Sequence, residues 1–500
     1  MNSFLDALAL GAQTALNPIN LAYCFGGVTL GTLIGILPGL GPIATIAMLL
    51  PLTFYLPPET ALITLAGIYY GAQYGGSTTA ILVNMPGESS AVVTCLDGYA
   101  MARQGRAGPA LGIAALGSFF AGSVATLVVA AFAPVLASVA LEFGPAEYFS
   151  LMVLGLVAAV VLASGSLINA IAMVLLGLLF GTVGADLNTG VERYTLGIPK
   201  LIDGIDFVIM SMGLFAVAEI VGNLEKSEKR SVLQEKLGRI LPSLDDIKRS
   251  AWPIIRGTGL GSVLGILPGG GAVLSSFASY AIEKKLAADP SRFGKGAIEG
   301  VAGPESANNA GAQTSFIPLL TLGIPSNPVM ALMVGAMMIQ GITPGPQTLT
   351  ERPDLFWGVI VSMWAGNLML VILNLPLIGL WVQLLKIPYR ILYPAILLLC
   401  VIGVYSVSGS TIDVALLAVF GIMGYVFVKV GCEPAPLLLG FILGPLVEEY
   451  FRRALIMSRG DMTVFVTNPI SGTMLAIALI LVLVVVAPSI RRTREKAFQE

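Results

Sequence analysis

Long apolar stretches recur along the whole sequence, and each has the length of a membrane crossing or half-crossing. A spanning helix needs about 20 mostly apolar residues. Hydrophobic residues make up 56% of the chain and charged residues only 11%, against about 25% charged in soluble proteins. The clearest stretches are residues 110–141, 148–163, 167–183, 207–221, 357–382, 391–407, 414–430 and 473–488. The sequence therefore predicts an all-α polytopic membrane protein with roughly 10–13 membrane segments.

Composition excludes several classes of function. The net charge is −2, which offers no basic surface for nucleic acid. The chain has no histidine, so Ser-His catalysis, HExxH zinc sites and histidine pH switches are excluded. Its four cysteines form no CxxC pair and are interpreted as packing residues. No GxxxxGK[ST] nucleotide motif is present. We predict neither an enzymatic activity nor a cofactor.

One plainly aqueous stretch, residues 223–256, divides the chain and carries eight lysines or arginines. The C-terminal tail RRTREK is also basic, whereas the first basic residue of the sequence is Arg103. Basic loops stay on the cytoplasmic side of a membrane. We therefore expect a cytoplasmic linker and C-terminus and a periplasmic N-terminus. Arg452, Arg453 and Arg459 fit this orientation poorly.

The two sides of the linker repeat one another. GGVTLGTLIGILPGLG and GTGLGSVLGILPGGG share six glycine and proline positions at a constant offset of 230. GAQYGGSTTAILVNMP matches GAQTSFIPLLTLGIP, AMARQG matches AMMIQG, and SGSLINA matches SGSTIDV, in the same order and at similar offsets. A self-similarity of this kind indicates a duplication. We assign a first repeat at 1–222, the linker at 223–256, a second repeat at 257–470, and a final helix with its tail at 471–500.

A periplasmic start and a cytoplasmic linker make each repeat cross the membrane an odd number of times. The repeats are then inverted relative to one another, and the last helix returns the chain to the cytoplasm. Secondary transporters have this organisation, with their site between inverted repeats at broken helices. The sequence thus predicts two inverted-topology repeats with helices broken by glycine and proline, plus one extra C-terminal transmembrane helix.

The predicted breaks lie at the paired PGxG segments. The GxxxG spacing before them is typical of close helix packing. Proline removes a backbone donor and glycine permits non-helical dihedral angles, and such backbone is tolerated at membrane depth only where it is buried or lines a cavity. Carbonyl groups freed there suit Na⁺, which we place near Gly39 and Gly269. The break residues are Pro38, Gly39, Gly41, Pro268, Gly269 and Gly271.

Uncharged polar residues follow both breaks and are the candidate substrate site. Both repeats place Gly-Ala-Gln about 14 residues before a proline, counting as in a repeat search. Taken one at a time, these side chains could equally form bonds between helices or surface turns. As a group they favour a binding role. The candidates are Ser77, Thr78, Thr79, Asn84, Gly87, Asn308, Asn309, Thr314, Ser315 and Ser326.

The distribution of charge limits the ligand. No lysine or arginine occurs in residues 1–102 or 296–351. An anion bound there must be held by backbone N–H groups, hydroxyls and amides at helix N-termini, where the helix dipole is positive. Glu88 and Glu305 lie beside the polar runs and could carry a proton or sodium ion. They could equally be turn residues at the membrane interface.

Several long motifs carry a family resemblance. GTLIGILPGLGP, YYGAQYGGSTTAILVNMPGE, DGYAMARQGRAG and GVAGPESANNAGAQTSFIPLLTLGIP strongly resemble the large membrane subunit of the tripartite tricarboxylate transporters, the TctA family. The likeness covers nearly the whole chain. It implies a permease of the bacterial inner membrane that works with a small membrane subunit of TctB type and a periplasmic solute-binding protein of TctC type. It also implies uptake of citrate or another carboxylate, driven by a Na⁺ or H⁺ gradient without ATP.

Together these observations predict a cation-coupled carboxylate symporter in which one unit derived from the repeats moves against the rest of the chain. The sequence leaves open whether this motion is an elevator or a rocking movement. The alternatives are a carboxylate channel or facilitator and a scaffold subunit that does not transport. Channels usually assemble identical subunits around a pore, which an inverted duplication in one chain disfavours. The substrate, the coupling ion, the stoichiometry and the oligomeric state are left open by the sequence.

Overall fold

The protein is built almost entirely of helices. The computed structural model describes residues 4–37, 41–163, 166–186, 189–225, 240–267, 271–384 and 389–486. Up to the linker, the helices are α1 Phe4–Ala15, α2 Pro18–Gly35, α3 Pro42–Thr53, α4 Pro58–Val83, α5 Val92–Thr94, α6 Ala107–Ala140, α7 Pro145–Leu162, α8 Leu167–Gly181, α9 Phe207–Ser211 and α10 Ala218–Glu225. Short 3₁₀ turns lie at Ser89–Ala91, Pro199–Asp203 and Pro290–Arg292, and π-helical segments at Cys95–Tyr99, Ala102–Arg106 and Met212–Val217.

The second half of the chain is also built of helices. Its helices are α11 Leu244–Leu264, α12 Gly271–Leu286, α13 Glu299–Thr314, α14 Phe316–Leu322, α15 Pro328–Ile339, α16 Gln347–Glu351, α17 Pro353–Asn374, α18 Ile378–Leu384, α19 Tyr389–Ser408, α20 Thr411–Lys429, α21 Pro434–Met457, α22 Val464–Thr467 and α23 Pro469–Val486. Two short strands, β1 Gly184–Ala185 and β2 Glu192–Arg193, pair antiparallel. Proline is the first residue of α2, α3, α4, α7, α15, α17, α21 and α23, where its missing N–H costs nothing.

Several helices have the length and composition to cross a membrane. Within the described residues these are Pro18–Gly35, Ala102–Ala140, Phe207–Glu225, Pro353–Asn374 and Thr411–Lys429. Shorter apolar helices accompany them at Pro42–Thr53, Pro145–Val161, Leu167–Gly181, Pro328–Ile339, Ile396–Ser408 and Pro469–Val484. The prediction of an all-α polytopic membrane protein is confirmed.

Part of the predicted aqueous linker is helical. Helix α11 begins at Leu244, inside the 223–256 segment, because Ser243 and Asp246 form a reciprocal cap. The Ser243 hydroxyl accepts a bond of 3.1 Å from the Asp246 N–H, and the Asp246 carboxylate accepts one of 3.1 Å from the Ser243 N–H. The basic residue Arg256 pairs with Glu283 of α12 at 2.5 Å. The end of the linker segment therefore belongs to the packed second half.

The glycine repeats before the breaks serve close helix packing. A Cβ on Gly31 of α2 would lie 2.2 Å from the Ile68 carbonyl oxygen of α4, and one on Gly35 would lie 2.5 Å from that of Ala72. In the second half, a Cβ on Gly261 of α11 would lie 2.2 Å from the Ala307 oxygen of α13. Small residues permit this approach. Residue numbers rise together along both pairs, so α2 is parallel to α4 and α11 is parallel to α13.

Equivalent helices of the two halves run in opposite directions. The rings of Tyr70 and Phe316 are 5.9 Å apart, while Ser77 bonds to Glu305 at 2.5 Å. Numbers rise along α4 as they fall along α14 and α13, so these helices are antiparallel. Inverted repeats require this relationship, and it supports that prediction.

Helices of each half pack against helices of the other half. Helix α6 packs on α13 of the other half, and α17, which holds the corresponding place in the second half, packs on α4. Helix α8 packs on α21, and α20 packs on the Met212–Val217 segment. Each half therefore supplies packing surfaces for the other. The orientation of the repeats in a membrane stays a prediction.

Candidate functional site

A cavity of about 430 Å³ lies where the two halves meet. It is within the size range of about 300–1,000 Å³ that is usual for small-molecule sites. We call it the central cavity. It is lined by Gly41, Pro42, Ile43, Tyr69, Gln73, Pro86, Gly87, Glu88, Ser89, Ser90, Phe215, Glu219, Ala272, Val273, Asn327, Pro328, Val329 and Glu433. Residues of both halves line it, and sites of secondary transporters lie between repeats.

First-turn residues of three helices line the central cavity. Gly41 caps α3, Ala272 lies in the first turn of α12, and Asn327 caps α15. A helix N-terminus carries unpaired N–H groups and a positive partial charge, which favour anions. Lysine and arginine are absent from the described lining of this cavity. Backbone dipoles are thus the electropositive groups that it presents.

Carboxylates also line the central cavity. Glu88 is 8% exposed and accepts a bond of 3.2 Å from Asn308 Nδ2 and another from the Ser90 hydroxyl. The Ser90 hydroxyl also lies 3.1 Å from the side-chain oxygen of Gln73. Glu219 accepts a bond of 3.4 Å from the N–H of Gly41 at the α3 N-terminus. The cavity therefore combines positive helix ends with negative side chains.

A second, much smaller space lies beside Glu305. This Glu305 pocket has a volume of about 10 Å³ and is lined by Tyr74, Ser77, Thr78, Leu111, Ala114, Ala115, Ser118, Glu305, Asn374 and Ile378. Glu305 is 1% exposed and accepts a bond of 2.5 Å from Ser77 and another from Thr94. Glu305 therefore lies buried inside helix α13 and is not a turn residue, while its role as a proton or sodium carrier stays a prediction.

The predicted polar residues divide between these spaces. Ser77 and Thr78 line the Glu305 pocket, and Asn309 donates a bond of 2.7 Å to Ser118 at its wall. Asn308 contacts Glu88 of the central cavity. Gly87 lines the central cavity, where a Cβ would lie 2.1 Å from the Gly35 carbonyl oxygen. The structure thus places these five beside one space or the other.

The remaining buried candidates bond to nearby backbone. The Thr79 hydroxyl donates to the Gly76 carbonyl at 2.9 Å, and that of Thr314 donates to the Ala310 carbonyl at 3.0 Å. The Ser315 hydroxyl donates to the Ala312 carbonyl at 2.7 Å, and that of Ser326 donates to the Ser315 carbonyl at 3.3 Å. Thr79 and Thr314 lie within helices, whereas Ser315 and Ser326 lie just outside them. These bonds satisfy buried hydroxyls without a ligand, which is the structural alternative to a binding role.

Asn84 lies apart from the buried candidates. It is exposed and ends α4 in the left-handed conformation, with φ 59° and ψ 30°. Asparagine tolerates this conformation better than most residues because its short side chain bonds locally. Helix termination therefore accounts for an asparagine at this position.

The structure describes the helices on either side of each predicted break. Helix α2 ends at Gly35 and α3 begins at Pro42 after an extended Gly41, while α11 ends at Leu264 and α12 begins at Gly271. Gly271 has φ +33°, which favours glycine. Pro38, Gly39, Pro268 and Gly269, with the Na⁺ site predicted near them, lie outside the described residues.

Sequence reasoning missed several residues that line the two spaces. Glu219 and Asn374 lie in apolar helices far from the motifs, and Ser118 lies in the long helix α6. An ionisable residue within an apolar stretch of a membrane protein indicates a possible functional role. Glu219 is such a residue, so the sequence offered a signal for it. Asn327 follows Ser326 directly, and its side chain caps α15 by accepting a 2.9 Å bond from the Met330 N–H.

Asp97 of the DGYAMARQG motif holds the two halves together. It is fully buried, and one of its oxygens accepts bonds of 2.9, 2.8 and 2.8 Å from the N–H groups of Gly294, Gly296 and Ala297. The Tyr280 hydroxyl donates to its other oxygen at 3.0 Å. This motif therefore fixes the loop that leads into α13.

A third cavity, of about 280 Å³, is lined by Arg452 and Arg453, two of the three arginines that fit the predicted orientation poorly. Arg452 lies 3.0 Å from Asp186 and 2.5 Å from Glu448, and Arg193 also pairs with both carboxylates. Mutual pairing accounts for these charges, so this cavity is a weaker candidate for an anion site than its arginines suggest.

Comparison with known proteins identifies the family of the chain. Residues 21–439 match the family described as "Tripartite tricarboxylate transporter TctA family". The chain belongs to the TctA family. This is a transporter family and not an enzyme family, and the chain is a multi-pass large subunit of a tripartite tricarboxylate transporter.

Two relatives from Agrobacterium vitis share much of this TctA sequence. One is an uncharacterised 52.8 kDa protein in the TAR-I ttuC' 3' region, which is 61% identical over 500 residues. The alignment spans 100% of this chain and 100% of that protein. The other is an uncharacterised protein in the TAR-II ttuC' 3' region, which is 65% identical over 240 residues, 48% of this chain and 99% of that protein. No solved structure matches the chain.

Proposed function

We propose that this TctA protein is the permease of a binding-protein-dependent uptake system that imports a citrate-like carboxylate together with Na⁺ or H⁺. The central cavity is the substrate site in this proposal. Three helix N-termini supply N–H groups for the carboxylates of the substrate. Asn308 has a buried side-chain oxygen without a partner among the described residues, which could accept a bond from a substrate hydroxyl.

One observation carries the proposal of symport: the carboxylate of Glu88 lines the same cavity as the helix N-termini. An anionic substrate placed beside this carboxylate is repelled unless the negative charge of Glu88 is balanced. Protons or cations that bind with the substrate supply that balance. Anion binding and cation binding then favour each other, and this thermodynamic coupling is what a symporter requires.

The partners follow from the tripartite family. We infer a small membrane subunit of TctB type and a periplasmic solute-binding protein of TctC type, which delivers the carboxylate. In this arrangement the chain lies in the bacterial inner membrane with its linker and C-terminus in the cytoplasm. The binding protein then selects the substrate, while the central cavity needs only to accept carboxylates.

Reconstitution tests the proposal. The chain, its small subunit and its binding protein are placed in proteoliposomes with labelled citrate, and then with labelled di- and tricarboxylates in turn. We expect uptake of at least one carboxylate that stops when the binding protein is omitted. Equal uptake without the binding protein would contradict the tripartite role, and uptake unaffected by Asn308→Ala would remove the central cavity from the path.

A further inference from the structure

Glu305 is a buried carboxylate without a balancing charge. It lies on α13 and is held by the hydroxyls of Ser77 and Thr94, and it takes part in no ion pair with a described lysine or arginine. An isolated charge in an apolar interior is strongly unfavourable. A membrane carboxylate of this kind therefore requires a cation or a proton to accompany it.

The Glu305 pocket has room for one small ion. Its volume of about 10 Å³ is close to the smallest space that holds one water-sized sphere. Oxygen-bearing side chains line it from four helices: Tyr74, Ser77 and Thr78 on α4, Ser118 on α6, Glu305 on α13 and Asn374 on α17. Oxygen is the ligand that hard cations prefer.

Asn374 supplies an independent sign that something is bound there. The residue is 4% exposed, and its Nδ2 donates a bond of 2.9 Å to the Leu370 carbonyl oxygen. Its Oδ1 is buried and receives no bond from the described part of the chain. A buried acceptor left unpaired costs about 1–3 kcal/mol, so such groups usually have a partner.

We propose that the Glu305 pocket is a sodium site, with the Glu305 carboxylate and the Asn374 side-chain oxygen as two of its ligands. A single carboxylate balances a monovalent ion. A proton on Glu305 would neutralise its charge and leave the Asn374 oxygen unpaired, whereas a sodium ion satisfies both groups. The small volume favours Na⁺ over the larger K⁺. This site is distinct from the position predicted near Gly39 and Gly269, which lies outside the described residues and stays a prediction.

The pocket is linked to the central cavity through α13. Glu305 lies three residues before Asn308, so the two side chains share one face of the helix. Asn308 donates its bond to Glu88 of the central cavity. An ion that fixes Glu305 thereby fixes the helix face that presents Asn308. The sodium site itself does not require transport. Only the role of this sodium ion as the coupling ion rests on the proposed function.

Sodium binding to the purified chain tests the site without transport. Bound ²²Na⁺ and the melting temperature are measured in detergent for the full chain in NaCl, KCl and choline chloride at one ionic strength and pH. We expect saturable ²²Na⁺ binding and a rise in melting temperature specific to Na⁺. In Glu305→Gln both are lost, and in Asn374→Ala sodium affinity falls about tenfold, which corresponds to 1.4 kcal/mol.

Glu299→Gln is the matched control, because Glu299 lies on the same helix and pairs at the surface with Arg249. It should keep the sodium response. Sodium binding unchanged in both Glu305→Gln and Asn374→Ala would overturn the site, as would equal stabilisation by K⁺ or no ²²Na⁺ binding to the unaltered chain. Sodium binding at this site with carboxylate uptake indifferent to Na⁺ would support the site and contradict sodium coupling in the proposed function.

Discussion

Ser77 of the first half donates a hydrogen bond of 2.5 Å to Glu305 of the second half. Both side chains are buried, and the helices that carry them run in opposite directions. The bond joins the halves beside the Glu305 pocket, one helical turn from the contact between Asn308 and Glu88. Polar groups from both halves thus meet where an otherwise apolar protein has its cavities.

Asn308→Ala should strongly reduce carboxylate uptake. The change removes the hydrogen bond from Asn308 Nδ2 to Glu88 and the buried Asn308 Oδ1, which has no partner among the described residues. Loss of a hydrogen bond to a charged group costs about 1.5–3 kcal/mol. We expect uptake in proteoliposomes to fall by about tenfold or more, with normal expression.

Asn84→Gly provides the matched comparison. Glycine accepts the left-handed conformation of Asn84 without strain, so uptake should stay within about twofold of the unaltered chain if the side chain only ends a helix. A loss of uptake in Asn84→Gly comparable with that in Asn308→Ala would return Asn84 to the substrate site.

Glu88→Gln should tighten binding of a carboxylate to the chain in the absence of sodium. The amide keeps an acceptor for Asn308 and removes one negative charge from the central cavity. At an effective dielectric constant of about 20, a charge pair at 4 Å is worth about 4 kcal/mol, so even a more distant substrate should bind about tenfold more tightly. Equilibrium binding of labelled citrate to purified protein measures this, and weaker binding would argue that Glu88 donates or bridges to the substrate.

Gly261→Ala should destabilise the protein, and Gly259→Ala on the same helix should not. A Cβ at Gly261 would lie 2.2 Å from the Ala307 carbonyl oxygen, whereas nothing lies within 4 Å at Gly259. Overpacking costs about 1–3 kcal/mol, while relief of a helical glycine gains about 0.5–1 kcal/mol. Melting temperatures in detergent should therefore move in opposite directions. A fall of similar size in both variants would mean that close packing of α11 on α13 is not what the glycine repeat provides.

Asp97→Asn should loosen the loop before α13. The carboxylate oxygen accepts three N–H bonds, and we expect the free energy of unfolding to fall by about 2–3 kcal/mol. Tyr280→Phe removes one bond to the other oxygen and should cost about 1 kcal/mol. Chemical denaturation in mixed micelles compares the two, and equal effects would contradict the leading role given to the backbone bonds.

Much of the architecture is readable from the sequence because lipid imposes simple rules. Apolar length located helices such as α17 and α20, and the paired glycine and proline positions located the ends of α2 and α11. The glycine spacing correctly indicated close packing. Helix α21 was not found from its apolar length because Glu448, Glu449, Arg452 and Arg453 interrupt its apolar sequence. Those charges pair with one another, with Arg193 of β2 or with Asp186.

The two spaces themselves were only partly predictable. Local repeats identified Ser77, Thr78 and Asn308, yet Ser118 and Asn374 become neighbours of Glu305 only through the exchange of α6 and α17 between the halves. No local pattern encodes such a contact. Thr79, Thr314 and Ser315 belong to the same polar runs, but the helix turns them toward their own backbone.

Accumulation of substrate against its own gradient distinguishes a symporter from a facilitator. Proteoliposomes with the three components receive labelled citrate, or the carboxylate found to be transported, under an inward sodium gradient, an inward proton gradient, or neither. We expect labelled carboxylate to accumulate above the outside concentration under one cation gradient, and this accumulation to collapse when an ionophore dissipates that gradient. Equilibration to the outside concentration under every condition would contradict symport and identify a facilitator or channel.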